Sequence, residues 1–447
     1  MMTSPVFAGR RYAVLGLARS GLATLASLVA GGAQVCAWDA REEPRLAVAA
    51  HYGDRVELAD PLTIDLTGFA GVVVSPGVPI NRHPIADAAR GAGVPLMCDI
   101  ELFAQSRPAL PPHHVVGITG TNGKSTTTAL TLHLLQAGGI PALMGGNIGL
   151  PVLGQQPLPA GGVYVLELSS YQIDLTHRLD CDIAMCLNLS PDHLDRYDGY
   201  AGYVASKARL FGMQAAGRLA IVDFAAEMEE DILRDAPDGQ PFLFLNAIDL
   251  PGNQADWPSL QGPHNRANAA AAVAAARHFG VDEATIAAGL KSFKGLPHRM
   301  EQVGQAQGVI FINDSKATNP ASTAPALAAF PPRDGHKRIH WIVGGLPKGD
   351  DLDDCAAFFD NVAAAYTIGD AGPRFAEILA PRMPVARSEM MCEAIREAIA
   401  AAHPGDVVLL SPACASFDQF RDYEARGDAF RQIVEVLTQG DDVEGKG

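Results

Sequence analysis

Short apolar runs ended by glycine, proline or small polar residues recur along the whole chain, with segments of helical character between them. Tyr12 to Leu15 is one such run, entering the turn Gly16-Leu17-Ala18-Arg19-Ser20-Gly21, and Val35 to Trp38 is a second that ends on Asp39. Val72 to Val74 leads into Ser75-Pro76-Gly77. Unbroken β-branched runs bounded by turn residues fit strands buried on both faces of a parallel sheet. Strand, glycine turn, helix, strand and acid follow the Rossmann plan, but Ala18 stands where the fingerprint has its second glycine. The turn suits a dinucleotide weakly. It suits a nucleotide better, with a diphosphate on the helix N-terminus and Asp39 on a sugar or base edge. Ser75 to Gly77 is either a plain turn or part of the ligand-binding edge of the sheet.

The most informative run is Val115 to Thr119, which continues as Gly120-Thr121-Asn122-Gly123-Lys124-Ser125-Thr126 and then as good helix formers. Glycines let successive backbone N–H groups point at one anion. The helix N-terminus and Lys124 add positive charge, and the Ser125 hydroxyl suits Mg²⁺. The usual G-x-x-x-x-G-K-[ST] spacing wants glycine where Ile118 stands. A tight strand-to-helix turn with an incidental lysine is the plain alternative.

Beyond it, Gly145 to Gly149 is a small-residue turn around Asn147. Tyr164 to Ser170 and Ile183 to Asn188 are predicted strands, and they bring Glu167 and His193 to their ends. With Ser125 these complete a mixed oxygen and nitrogen shell for Mg²⁺, although imidazole is an unusual ligand for that ion. Tyr200 to Phe211 is predicted helical, and from local sequence its Lys207 is a surface residue. Gly262 to Asn268 precede an alanine-rich helix. There Asn265 and Asn268 either read a base edge or cap the helix.

The last region alternates again. Val309 to Ile312 runs into Asn313-Asp314-Ser315-Lys316-Ala317-Thr318, and Ile339 to Val343 runs into Gly344-Gly345-Leu346-Pro347-Lys348. Val407 to Leu410 runs into Ser411 and on to Ser416 and Phe417. Polar residues gather just after the strands, where open α/β sheets bind ligands. The proline-rich Arg107 to Pro112 and the segment Leu296 to Arg299 mark boundaries. The predicted architecture is α/β in three domains: a Rossmann-like domain (1–108), a central P-loop ATPase-like domain (109–297) and a C-terminal Rossmann-like domain (298–447).

Composition narrows the class. The 447 residues are 48% hydrophobic and 19% charged, with 45 glycines and 31 prolines, as expected of a globular multidomain chain. No apolar run approaches the ~20 residues that span a bilayer, and the N-terminus has no charged start followed by an apolar segment. Seven scattered cysteines without a C-x-x-C pair read as reduced cytoplasmic thiols. A formal charge of −16 disfavours nucleic acid and anionic membrane as partners. The polar tail, 441–447, is expected to be disordered.

Taken together, Gly120 to Ser125, Glu167-Leu168-Ser169-Ser170, Asn188 to His193, Gly262 to Asn268, His298-Arg299 and Asp314 to Asn319 make the chain resemble the Mur ligases and their relative folylpolyglutamate synthase. The resemblance extends over essentially the whole length, and Ile118 is that family's own form of the loop. Asp99 to Phe103, Gly145 to Gly149 and Leu410 to Ser416 point to the branch acting on UDP-N-acetylmuramoyl-L-alanine. The resemblance implies ATP-dependent amide-bond formation through an acyl phosphate, with D-glutamate added and L-glutamate as the alternative, in a cytoplasmic monomer. It implies ATP and two Mg²⁺, with Ser125, Glu167, His193 and a carbamylated Lys207 as ligands. Lys124 and Lys316 stand near the reacting groups. Asn265, Asn268, Arg299 and Asp314 fall to the nucleotide, and Asn147 to the acceptor. Leu15, Gly16, Ser20, Asp39, Ser75 and Gly77 would take the uridine diphosphate end. Thr318, Lys348, Ser416 and Phe417 would hold glutamate, although some members carry an acid where Leu346 stands. A nicotinamide-dependent dehydrogenase and a non-catalytic nucleotide switch are the rival readings. The first leaves the phosphate loop unexplained, and the second leaves Glu167, His193 and Lys207 without a shared purpose.

Overall fold

The computed structural model describes residues 1–76, 78–192, 196–223, 234, 236–347, 349 and 351–439. Gly77, His193, Lys348 and the tail therefore lie outside the described residues.

Three sheets carry the fold. The first contains β1 (Arg11–Leu15), β2 (Gln34–Trp38), β3 (Val56–Leu58), β4 (Gly71–Val74) and β5 (Leu96–Met97), all parallel in the order β3-β2-β1-β4-β5. The second contains β6 (His113–Thr119), β7 (Ala142–Gly146), β8 (Gly162–Glu167), β9 (Ile183–Cys186), β10 (Leu219–Val222) and β11 (Phe242–Phe244). It is also fully parallel, in the order β11-β10-β9-β6-β8-β7. The third contains β12 (Glu301–Ala306), β13 (Val309–Asn313), β14 (Ile339–Gly344), β15 (Val362–Ile368), β16 (Val385–Glu389) and β17 (Val407–Leu410). Its order is β12-β13-β17-β14-β15-β16, and only the edge strand β12 runs antiparallel.

The chain divides into two compact units, 1–251 with 267–289 and 252–266 with 290–447. The first unit holds the first two sheets, and one continuous hydrophobic core joins them, from Val14 and Val73 through Phe103 to Tyr164 and Leu166. In the second unit, successive residues of one strand enter opposite cores. Trp341 and Leu409 pack on one face of the third sheet, and Ile342, Val408 and Leu410 on the other. Helices on both faces explain why these strands read as unbroken apolar runs.

Three local expectations change. The strand read as Tyr164 to Ser170 ends at Glu167, because Ser169 caps the helix Ser170–Asp174 in a box with Gln172. The strand read to Asn188 stops at Cys186, which releases Asn188 for a hydrogen-bonding role. The helix Pro263–His278 begins before Asn265 and Asn268, so both asparagines lie inside it and neither is its cap.

Candidate active site

The central strand β6 delivers the chain to a loop that only glycine permits at two points, Gly120 (φ 142°) and Gly123 (φ 83°). A Cβ at Gly123 would run into Asn268 Oδ1, and Thr127 Oγ1 donates to that same oxygen at 3.3 Å. Asn188 pins the loop from outside the strand. Its Oδ1 accepts from Asn122 N–H at 2.8 Å, its Nδ2 donates to Asn122 C=O at 3.0 Å, and its own C=O accepts from Thr121 N–H at 3.0 Å. The helix Lys124–Ala137 then starts without a side-chain cap, which leaves the positive end of its dipole to an anion. Lys124 Nζ donates to the loop's own carbonyls, Gly120 at 2.8 Å and Thr121 at 2.7 Å. Ser125 is buried in the first turn of that helix.

Two further charges converge on this loop. Glu167, 3% exposed, sits at the end of β8 in register with Ile118 and Gly146. Its Oε1 accepts from Asn147 Nδ2 at 3.0 Å, whereas its Oε2 is buried without a hydrogen-bond partner. An orphaned buried carboxylate oxygen is costly unless something binds it, and an oxygen donor beside a phosphate loop suits Mg²⁺. Among the described residues no group of three or more His, Cys, Asp or Glu forms a metal site by itself. A cation here would therefore draw on Glu167, the Ser125 hydroxyl and phosphate oxygens.

Lys207 corrects the reading of a surface lysine. It lies in the helix Gly199–Gly212, is 1% exposed, and donates to Gly120 C=O at 3.0 Å and Thr119 Oγ1 at 3.2 Å. Its Nζ also stands 4.7 Å from the centre of the Tyr203 ring. Burial, reinforced by the charge of Lys124, pulls its pKa down to about 7.

In the first sheet, Gly16 (φ 91°) turns the chain out of β1 just after Leu15, and Ser75 Oγ donates to its carbonyl at 2.8 Å. Asp39 closes onto the same turn. Its Oδ2 accepts from Leu17 N–H at 2.7 Å, and its Oδ1 accepts from Arg41 N–H at 3.0 Å. Burial opposes ionisation of Asp39, but these N–H donors and the Arg41 guanidinium outweigh it and hold the carboxyl below its usual range. Ser20 lies in the first turn of the helix Arg19–Ala30. Arg19 of that helix donates to Gly149 C=O at 2.9 Å, so within this unit the first turn neighbours the segment carrying Asn147.

In the second unit, Asp314 follows β13 and is buried. Ser411 Oγ donates to its Oδ2 at 2.7 Å and Met300 N–H to its Oδ1 at 3.2 Å, yet burial still raises its pKa to about 7. The charge of Arg299 acts in the opposite sense on that carboxyl. Lys316 Nζ lies 3.8 Å from the centre of the Tyr423 ring. Gly344 and Gly345 (φ 128° and 131°) allow a turn whose Cβ positions would collide with Ile368 C=O and Ala415 C=O. Leu346 then pairs with Ala415 through two backbone hydrogen bonds of 2.9 Å. Ser416 is buried, Phe417 is 69% exposed, and Thr318 is half-buried. Asn265 of this unit donates to Gln261 C=O at 3.0 Å.

Local sequence reading assigned no role to Arg426. It is 1% exposed and holds the carbonyls of Ser315, Cys414 and Ala415, which ties the Asp314 loop to the turn after β17. An arginine in an amphipathic helix gives no local signal of such burial.

Family profiles match both units. The profile described as the Mur ligase middle domain covers residues 118–240, and that described as the Mur ligase, glutamate ligase domain covers 298–414. A protein of Novosphingobium aromaticivorans is 66% identical over 98% of this chain and 97% of its own length. The chain belongs to the Mur ligase family. That relative is named UDP-N-acetylmuramoylalanine–D-glutamate ligase. So is a protein of Sphingopyxis alaskensis, 59% identical over 98% of this chain and 100% of its own length. Among solved structures, the UDP-N-acetylmuramate-alanine ligase MurC of Thermotoga maritima superposes with a TM-score of 0.55 at 16% identity, covering 96% of this chain and 99% of that one. At that identity the likeness establishes the Mur ligase fold alone. Among the described residues no helix is long and apolar enough to cross a membrane.

Proposed function

We propose that this Mur ligase uses ATP to join D-glutamate to UDP-N-acetylmuramoyl-L-alanine in the cytoplasmic synthesis of peptidoglycan precursors. The observation that carries the reading is a phosphate loop faced by a buried carboxylate whose Oε2 has no partner. The substrates follow from the names of the relatives, and since those name the D enantiomer the L-glutamate alternative is without support.

The chemistry must bring two anions together, so charge neutralisation and positioning dominate it. The acceptor carboxylate takes the γ-phosphoryl group of ATP and releases ADP. The amine of glutamate attacks the acyl phosphate, and the tetrahedral intermediate expels phosphate. Gly120, Thr121, Asn122, Gly123, Ser125 and Thr126 would cradle the phosphates through backbone N–H groups, and Lys124 would leave its carbonyl contacts to hold the β,γ oxygens. Mg²⁺, when bound by Ser125 and Glu167, supplies charge neutralisation on the transferring group; a second ion is assigned to His193 and Lys207. A neutral Lys207 amine can add carbon dioxide and lose a proton, becoming an anionic oxygen ligand. Its pKa of about 7 makes the neutral form accessible. Asn147, beside Glu167, would meet the acceptor, and Lys316 the reacting groups.

Asn265, Asn268, Arg299 and Asp314 would take adenine, phosphate and ribose. Leu15, Gly16, Ser20, Asp39, Ser75 and Gly77 would take the uridine diphosphate. Thr318, Lys348, Ser416 and Phe417 would hold glutamate. The working protein is a monomer of three domains, 1–108, 109–297 and 298–447, the last closing over ATP; small-angle scattering unchanged by an ATP analogue with acceptor would exclude the closure. The primary test is phosphate release from ATP and Mg²⁺ with UDP-N-acetylmuramoyl-L-alanine, in parallel with D-glutamate, L-glutamate or neither. Release dependent on both the nucleotide sugar and D-glutamate is expected. Release with L-glutamate alone would move the pocket assignment, and no acceptor-dependent release would end the acyl-phosphate reading.

A further inference from the structure

In the second unit, a cavity of about 330 Å³ opens at the end of the third sheet opposite Asp314 and Ser411. That volume falls at the lower end of the range for small-molecule pockets. Arg338 immediately precedes β14 and Ile310 is the second residue of β13, so the cavity adjoins the N-terminal ends of the parallel strands. Asp314, Lys316, Ser416 and Phe417 follow the other ends, whereas Asn265 donates to the carbonyl of Gln261, which lines the cavity.

Arg338 is the unusual feature. It is only 8% exposed, and its Nε donates to Gly405 C=O at 2.8 Å. Among the described residues no carboxylate lies within ion-pair distance of its guanidinium. The nearest acid that acts on it, Asp406, is already engaged by His336 Nε2 at 2.8 Å, His340 Nε2 at 3.3 Å and His403 N–H at 2.8 Å. A second arginine, Arg333, lines the same cavity from an exposed hairpin turned by Asp334 (φ 50°) and Gly335 (φ 79°). Burial and the like charge of Arg333 both disfavour the charged form of Arg338, with Asp406 offsetting them in part. A guanidinium does not escape by losing its proton. An anion between the two arginines would relieve both strains at once.

The remaining walls suit an organic molecule better than a bare ion. A bulge in β12 places Gln302 opposite Ile312 and Gln305 opposite Ile310. Ile310 and Ile312 share one face of β13, so the extra residue brings both glutamines to one face. Neither side-chain amide has a hydrogen-bond partner among the described residues, and both line the cavity with Phe330 and Pro331.

We propose that this cavity binds a small organic anion, its carboxylate or phosphate between Arg333 and Arg338 and its apolar body against Phe330 and Pro331. The test is calorimetric titration of the full chain, saturated with ADP and Mg²⁺, using benzoate, phenyl phosphate, inorganic phosphate and uncharged benzyl alcohol. One saturable site is expected for benzoate, phenyl phosphate or both, and which of them binds identifies the head group. Benzyl alcohol and inorganic phosphate should bind at least tenfold more weakly. Arg333→Glu lies on an exposed hairpin and should keep its melting temperature and ADP affinity while losing at least tenfold in probe affinity. Arg338→Gln should lose as much if it folds. No saturable binding by about 10 mM, weaker than any affinity such a site would use, or binding unchanged in Arg333→Glu, would overturn the proposal.

Discussion

The first and second sheets each send a strand into a glycine turn and then a helix without a side-chain cap, and the two turns do opposite things with charge. At Gly16 the protein supplies its own anion: Asp39 takes the Leu17 N–H and is held ionised by it. At Gly120 to Ser125 the nearby acid stands off. Glu167 keeps one oxygen for Asn147 and leaves the other without a partner, while Lys124 and Lys207 both donate to Gly120 C=O. One turn is neutralised from within and has little attraction left for a triphosphate. The other holds an excess of cation and a vacant ligand oxygen. Strand, glycine and helix therefore specify an anion-facing turn. The charged side chains around it decide which anion and whether a metal accompanies it.

The sharpest way to break this comparison is to remove the cation from the open turn. Lys124→Met keeps the aliphatic stem and should lower turnover by about 10³-fold or more if, as proposed, the ammonium stabilises charge on the transferring phosphoryl group. In the free protein that ammonium donates to two carbonyls of its own loop, Gly120 and Thr121, and a melting temperature that moves by no more than a few degrees would separate the loss of turnover from a loss of fold. Steady-state phosphate release and a thermal melt measure both. Were Asp39→Asn to lower kcat as severely at saturating substrates, the two turns would not differ in function.

The next effect sharpens the same contrast. On the proposed carbamate, Lys207→Ala should lower turnover by about 10²-fold through loss of a metal ligand. In the unsubstituted protein the neutral amine increases as pH rises through about 7, and carbon dioxide reacts only with that form. Bicarbonate-depleted enzyme should therefore lose activity, and added bicarbonate should restore it better at pH 8 than at pH 6. Isotopic carbon dioxide with carbon NMR reads the carbamate directly. Activity indifferent to bicarbonate across that range would leave Lys207 as a buried cation and nothing more.

How much of this was legible beforehand depended on burial. Strands covered on both faces, such as Val72 to Val74 and Val407 to Leu410, declare themselves as apolar runs. The edge strands β12 and β16 are partly exposed and read Glu-Gln-Val-Gly-Gln-Ala and Val-Ala-Arg-Ser-Glu, with no run to find. The phosphate loop was legible because its chemistry is contiguous. The clamp of Asn188 on Asn122 spans 66 positions and the hold of Arg426 on Ser315 spans 111, and no local pattern encodes either. Lys207 is the intermediate case. Its helix was legible, but its inward orientation was not, because one lysine among small residues on a helix looks the same facing in or out.

A smaller effect belongs to the closed turn. Asp39→Asn keeps an acceptor for Leu17 N–H but loses its charge, so it should cost about 1–2 kcal/mol and raise the KM for the nucleotide sugar several-fold with kcat nearly unchanged. The pH dependence has a definite sign. The folded-state pKa of Asp39 lies below its ordinary value of 3.8, so the unfolded chain takes up the proton first as pH falls. Its contribution is complete above that value and lost as pH drops through the folded pKa. Denaturant unfolding of the two proteins should therefore differ at pH 7 and draw together as pH falls below 3.8.

The smallest change tests whether the closed turn is held by charge or by its hydroxyl. Ser75 Oγ donates to Gly16 C=O at 2.8 Å, and a Cβ at Gly16 would approach the Ser75 Cβ at 2.9 Å, so the two residues are in tight contact. Ser75→Ala removes one neutral hydrogen bond without adding bulk. A loss of about 1 kcal/mol or less is expected, because Ser75 N–H still donates to Leu15 C=O at 3.0 Å and keeps β4 beside β1. Adding Asp39→Asn to Ser75→Ala completes a double-mutant cycle across Gly16 and Leu17. A coupling above about 0.5 kcal/mol would mean that carboxylate and hydroxyl hold the turn as one unit. A coupling near zero would leave Asp39 alone as the anion that closes it, which is the arrangement the central loop lacks.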